Sequence, residues 1–359
     1  MSTHEATLSL QPSAVSRQPS VERRRILIIG PSNIGDAILT SPVIEAIAAR
    51  YPDAHLTVAI GERAKALFVE DPRIHTLVDM DLFRSPAGRL TLAFALWRYR
   101  PHLLVDLRHT LYPLLLKPLS AWRYLRQPPR RIRHMRDRHL WKLRVQAPEA
   151  IRSQPRGGGV SPADGLPVRW TAKDTAYVDT LWRRWQLERA RPVVIICPGA
   201  RSHIKRWIPE GFARVADRLI AEPRAQVIFS GELDEQPVME EILGLMTQRA
   251  HSTVGVTTIR QLGALMQRAQ LVITNDSASL HLASAVGVPT VALFGPTDEG
   301  KYGPMAPRGR TIRRRLFCSP CEQALCRFSH ECMRFITADE VYQAAKTLLE
   351  AGGSRLEAG

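Results

Sequence analysis

Four stretches of this chain carry side chains that do chemistry, and each falls where a short apolar run gives way to a glycine-bearing turn. The first is GPSNIGDAIL, in which Gly30 and Gly35 permit tight backbone and Asp36 stands near a helix start. An aspartate there either caps the helix or serves as a general base toward a hydroxyl group. The second is PGARSHIKRWIP, where Lys205 and Arg206 precede a helix that has Pro209 in its first turn. A cation near a helix N-terminus opposes the macrodipole unless an anion is present, and a diphosphate is such an anion.

The third stretch, LVITNDSASLHLASAVGVP, is the most informative. A strand ending at Asn275 and Asp276 leads into the small residues Ser277, Ala278 and Ser279. These let backbone N–H groups approach a phosphate at a helix start. His281 follows Ser277 by four residues and so shares its helical face. Asp276 is placed either to cap that helix or to accept from sugar hydroxyls. The fourth, SGELDEQP, offers Glu232 and Glu235 to a ribose, and the turn GPTDEG adds Thr297 and Asp298 to the same region. Neither GxGxxG nor GK[ST] occurs at these turns, so dinucleotide and P-loop fingerprints are absent.

Five cysteines are present. Cys197 lies inside an apolar run and reads as a core residue. The others are spaced C-x2-C-x4-C-x5-C at Cys318, Cys321, Cys326 and Cys332. Four thiolates at such spacing can close a tetrahedral site, so a structural zinc or iron is expected there, against the alternative of reduced thiols.

These groups must be positioned by alternating elements. RILIIG, HLTVAI, HTLVDM and HLLVDL read as strands separated by helices around 41–51, 61–71 and 90–98. PVVIICPG, AQVIFSG, LVITND and TVALFG repeat the pattern after residue 190, with helices between them. This is the signature of parallel, doubly wound α/β sheets, here two Rossmann-like halves facing a cleft. The expected limits are a disordered tail over 1–24, a first domain over 25–170, a second over 171–337 and a terminal helix over 338–352. Residues 112–145 read as irregular and basic, and 147–168, with GGG and several prolines, as a flexible approach between domains. The 359 residues suit two domains of about 150 each.

The formal net charge is +16. Residues 98–144 hold 13 Lys/Arg against two Asp, and 308–315 hold five Arg and no acid, which together account for the whole excess. Patches this local call for an anionic partner: nucleic acid, an anionic membrane or a phosphorylated substrate. No RRM, KH, helix-turn-helix or OB signature is visible, so nucleic acid is not expected. No apolar stretch reaches bilayer length and the first 20 residues lack a secretory core, so a cytoplasmic location is expected.

Three of these stretches, in register over roughly residues 25–345, resemble glycosyltransferase family 9, the ADP-heptose:lipopolysaccharide heptosyltransferases. ILIIGPSNIGDAILTSPVIEAIAARYPDA resembles the family's opening, PGARSHIKRWIP its Lys-x-Trp-Pro region, and NDSASLHLASA followed by LFGPT its donor motif. The resemblance implies a GT-B fold, with the acceptor held by the first domain and an ADP-sugar donor by the second. It implies inverting, metal-independent transfer of heptose to a lipid-linked lipopolysaccharide core. Asp36 would be the base, with Gly35 beside the acceptor. Lys205, Asp276, Ser277, Ala278, His281 and Glu232 would form the donor site, Lys205 and His281 helping to neutralise the leaving diphosphate. Ala278 stands where the family has glycine, a substitution that a positive φ would disfavour. Cations beside Trp122, Tyr124 and Trp141 suit an anionic glycolipid, so Arg123, Arg126 and Arg130 are acceptor candidates. The enzyme is then expected at the cytoplasmic face of the inner membrane, as a peripheral protein. Readings outside this are a GT-B enzyme with another nucleotide sugar, a sugar-nucleotide epimerase, a basic nucleic-acid-binding protein, or a non-catalytic family member.

Overall fold

A computed structural model describes residues 23–150, 168–305 and 308–353; the expected tail up to residue 22 and the expected flexible stretch over 151–167 lie outside the described residues. The first half runs β1 (Arg25–Ile29), α1 (Ile34–Arg50), β2 (His55–Ile60), α2 (Glu62–Phe68), β3 (Thr76–Asp79), α3 (Pro86–Tyr99) and β4 (Leu103–Asp106). Three further helices follow, α4 (Tyr112–Leu116), α5 (Trp122–Leu125) and α6 (Met135–Gln146). The second half runs α7 (Ala172–Arg184), β5 (Val193–Cys197), α8 (Pro209–Ala221), β6 (Gln226–Phe229), α9 (Gln236–Leu245), β7 (His251–Ser252) and α10 (Ile259–Gln267). It continues through β8 (Leu271–Asn275), α11 (Ala278–Val286), β9 (Thr290–Phe294), α12 (Glu299–Tyr302), β10 (Gly309–Arg313), α13 (Glu331–Arg334) and α14 (Ala338–Gly353). The strands form two sheets, ordered β3-β2-β1-β4 and β10-β9-β8-β5-β6-β7. Every pairing is parallel. These are the two Rossmann-like halves of a GT-B fold, as expected.

Continuous apolar strands arise because both sheet faces are covered. In β1, Ile26 and Ile28 face one core, whereas Leu27 and Ile29 face another that includes Leu92 and Leu96 of α3 and Tyr124 of α5. In β5, Val193, Ile195 and Cys197 share the core of Ile26, and Val194 and Ile196 turn to a third cluster with α8 and α14. The core holding Ile26 and Ile195 therefore spans both sheets, and α1 packs directly on α11. Cys197 is buried, as expected of a core residue.

The segment expected to be irregular contains a three-turn helix, α6. Its inward face is His139, Lys142, Leu143 and Gln146, at helical spacing but mostly polar. Each polar group finds backbone: Lys142 Nζ donates to Leu107 O at 2.7 Å, and Gln146 accepts from Asp106 N at 2.8 Å and donates to Asp106 O at 3.0 Å. His139 Nδ1 lies 3.3 Å from Leu39 O. Gln146 thus supplies to β4 the hydrogen bonds that a neighbouring strand would supply. Replacing Gln146 by Ala strands a buried N–H and C=O, and a loss of about 1–3 kcal/mol in unfolding free energy is expected on chemical denaturation.

Candidate active site

The turns after β1, β2, β5, β6, β7, β8 and β9 line one cleft of about 1180 Å³, at the carboxyl ends of the strands where open α/β sheets bind ligands. This exceeds the roughly 300–1,000 Å³ of a single small-ligand site. Gly35, Asp36, Lys205, Glu232, Asp276, Ser277, Ala278 and His281 all line it. Arg123, Arg126 and Arg130 do not; the cleft wall draws instead on Arg63 and Arg201.

Lys205 Nζ lies 2.6 Å from Asp276 Oδ2, whose side chain is only 5% exposed. Asp36 lies in the field of both: burial raises its carboxyl above the usual range, opposed by a hydrogen bond from Asn33 Nδ2 (3.2 Å) and by the Lys205 charge, and assisted by Asp276. Arg201 of the second half in turn donates to Asn33 Oδ1 of the first. Arg63 and Glu232 join the two halves as an exposed ion pair at 2.8 Å.

Two helix N-termini meet here. The cap residue of α1 is Asn33 and that of α11 is Ser277, and neither side chain caps its helix. Asn33 is held by Asp36 and Arg201, and Ser277 Oγ lies 3.3 Å from Thr274 Oγ1. Amide groups at both starts are left to a ligand, the arrangement that binds anions. The approach is close enough to demand a glycine: a Cβ on Gly35 would sit 2.8 Å from His281 Cδ2 and 3.6 Å from Ala278 Cα. Ala278 opens α11 and is not among the residues with positive φ, so alanine in place of the family's glycine is unstrained.

His281 lines the same wall of the cleft. Burial pushes its imidazole down to about 4, with the Asp276 charge opposing that shift. Tyr302 stands beside it, ring centroids 6.3 Å apart, and its hydroxyl is raised by burial and then by Asp36. Glu235 also lines the cleft, its carboxyl raised by burial and lying against Gly199. Thr297 reaches the cleft, but Asp298 does not line it; it caps α12 through Gly300 N (2.8 Å) and accepts from Arg133 at 2.9 Å. Asn33, Arg63, Arg201 and Tyr302 were not legible as site residues. Asn33 alone had a local signal, standing three residues before Asp36.

The structural zinc or iron expected at the cysteines is not supported: among the described residues no three His, Cys, Asp or Glu side chains converge as a ligand set. All four thiols line a cavity of about 350 Å³ that meets the cleft at Pro296 and Gln323. Cys332 is buried on α13 against Gly295, while Cys318, Cys321 and Cys326 are half-buried on the loop before it. Burial and the neighbouring thiols push Cys332 up to about 11, so it is a thiol and not a thiolate at neutral pH.

The site therefore combines carboxylates, an ammonium group and free amides. It is equipped to deprotonate a hydroxyl and to hold a departing diphosphate. Residues 166–331 match the model of glycosyltransferase family 9 (heptosyltransferase). The chain is 30% identical over 318 residues to lipopolysaccharide heptosyltransferase 3 of Escherichia coli, covering 79% of this chain and 92% of that protein. Among solved structures, a glycosyl transferase family 9 protein of Veillonella parvula superposes with a TM-score of 0.75 at 22% identity, over 91% of this chain and 98% of its own. The E. coli ADP-heptose lipopolysaccharide heptosyltransferase II does so with a TM-score of 0.69 at 23% identity, over 92% and 99%. A shared fold and 30% identity over most of both chains lead to one conclusion: the chain belongs to glycosyltransferase family 9, and is a glycosyltransferase.

Proposed function

We propose that this enzyme transfers heptose from ADP-heptose to a hydroxyl of a lipid-linked lipopolysaccharide core, with inversion, at the cytoplasmic face of the inner membrane. The observation that carries this reading is the meeting of Asp36, Lys205 and Asp276 between two uncapped helix N-termini. The names of the relatives supply the sugar and the nucleotide. In the proposed step the acceptor O–H gives its proton to Asp36, and its oxygen attacks the anomeric carbon from the side opposite the diphosphate. The bond from that carbon to the phosphate oxygen breaks, and ADP leaves with the electron pair. Lys205 and the free amides of α11 take the charge-neutralising role that a metal ion fills in other transferases. Glu232 or Glu235 accepts from the ribose.

A thermal-shift comparison of ADP, UDP, GDP and CMP tests the donor. At 100 times its Kd, a ligand of the native state stabilises by about 2.7 kcal/mol. Selective stabilisation by ADP is expected. Preference for UDP or GDP would replace the donor, and no shift with any nucleotide would remove the donor site from this cleft.

A further inference from the structure

The basic stretch of the first half divides in two. Its later part is structural: Arg133 binds Asp298, His134 lies 3.1 Å from Gly303 O, and His139 and Lys142 are buried. Its earlier part, joined to α3, is different. On α3, Leu92 and Leu96 enter the core, while Leu90, Phe94 and Trp97 are 73%, 56% and 45% exposed on the opposite face. A helix apolar on both faces, with one face already in the core, lacks a partner for the other.

The elements beside it repeat this. Helix α4 touches α3, and the 118–120 turn touches both α4 and α5. Tyr112, Leu116 and Tyr124 on these elements pack toward the same core as Leu92, so their outer sides look away from the sheet in common with α3. Along the same stretch Leu111, Leu115 and Leu119 are exposed, the last almost fully, and then Trp122 and Leu125.

Cations stand at the aromatic rings of this face: Arg98 over Phe94 (5.8 Å), Arg100 over Trp97 (5.9 Å) and Arg123 over Trp122 (5.6 Å). Residues 89–126 hold seven Lys/Arg and one acid, Asp106, which is buried. Apolar tips ringed by cations fit the boundary of an anionic bilayer, where the tips enter the acyl region and the guanidinium groups meet the headgroups. A protein partner of the usual interface chemistry would not require an excess of cations that no exposed acid within residues 89–126 balances.

We propose that the outer face of α3, α4 and α5, including the 118–120 turn, docks the enzyme on an anionic lipid surface, with Leu119 and Trp122 inserted. This places the first half against the bilayer and accounts for how a chain with no membrane-spanning helix among its described residues reaches a lipid-linked acceptor. It deepens the acceptor reading above but does not rest on the donor, because lipid binding is read without any nucleotide.

The test is co-sedimentation of the full chain with phosphatidylglycerol/phosphatidylethanolamine vesicles and with phosphatidylcholine vesicles. The expected partition is at least tenfold stronger on the anionic vesicles, and weaker in 1 M than in 0.1 M NaCl. The double variant Leu119→Asp/Trp122→Asp is expected to lose tenfold or more. The variant Arg89→Glu/Arg98→Glu is expected to lose the preference for anionic lipid. Both pairs lie outside the core, so far-UV circular dichroism and the thermal midpoint should match wild type, which separates lost docking from misfolding. Wild type that stays in solution with anionic vesicles would overturn the proposal, as would a folded Leu119→Asp/Trp122→Asp protein that still sediments. A wild-type dimer that these variants dissociate would also overturn it, by assigning the face to a second copy of the chain.

Discussion

Asp36→Asn is expected to lower kcat by about 10²–10⁴-fold, the usual contribution of a positioned general base, while the ADP-induced shift in Tm is retained. The amide keeps the size of the carboxylate and can still accept from Asn33, so the geometry of the turn survives and only the base is lost. The pH dependence follows from the same surroundings. Burial, the largest influence, holds the Asp36 carboxyl above its usual 3.8, and Asn33 and Lys205 restrain that rise. A base works in its deprotonated form, so kcat should fall on acidification along a limb set above 3.8. Asn33→Ala removes a restraint and should move that limb to higher pH. An Asp36→Asn enzyme that keeps kcat within tenfold of wild type would refute the assignment of Asp36 as base.

Lys205→Ala is expected to abolish the ADP-induced shift and to lower kcat/KM by about 10²–10³-fold, the scale of losing one stabilising group at a developing anion. It also leaves the Asp276 carboxylate buried without its partner. The cost is put at about 1–3 kcal/mol of stability, below that of a fully buried pair because Lys205 is 31% exposed. The double variant Lys205→Ala/Asp276→Asn removes both charges and should recover most of that stability without recovering ADP binding. Recovery of ADP binding in the double variant would show that Lys205 serves the fold rather than the donor.

The parts of this fold that were legible are those built on apolar content. β1, β5, β8 and β9 are continuous apolar runs because both faces of each are covered, and the turns that follow them carry Asp36, Lys205, Asp276 and His281. Helix α6 was not legible, because all but one of the residues it buries are polar, His139, Lys142 and Gln146, whose partners are backbone groups at the end of β4, just after it and in α1. β10 begins Gly-Arg-Thr and is only half-buried, so no apolar run marked it. Site residues that act through contacts between the halves were hidden for a different reason. Arg201 meets Asn33 across 168 positions and Arg63 meets Glu232 across 169, and periodicity carries no information at that range. The cysteine spacing indicated proximity correctly, since all four thiols line one cavity, but spacing does not report whether side chains converge on a point.

The core that contains Ile26 of one sheet and Ile195 of the other constrains how this enzyme moves. Where two lobes share only a linker, a cleft opens by rotation about that linker and exposes mainly polar walls. Here a wide rotation would pull Gly35 from His281 and Ala278 and expose apolar side chains of α1 and α11 to water. Small sliding of packed helices costs far less, because side chains keep contact as they shift. Opening the cleft widely would therefore uncover the apolar α1–α11 seam, a cost that favours small displacements keeping that seam packed.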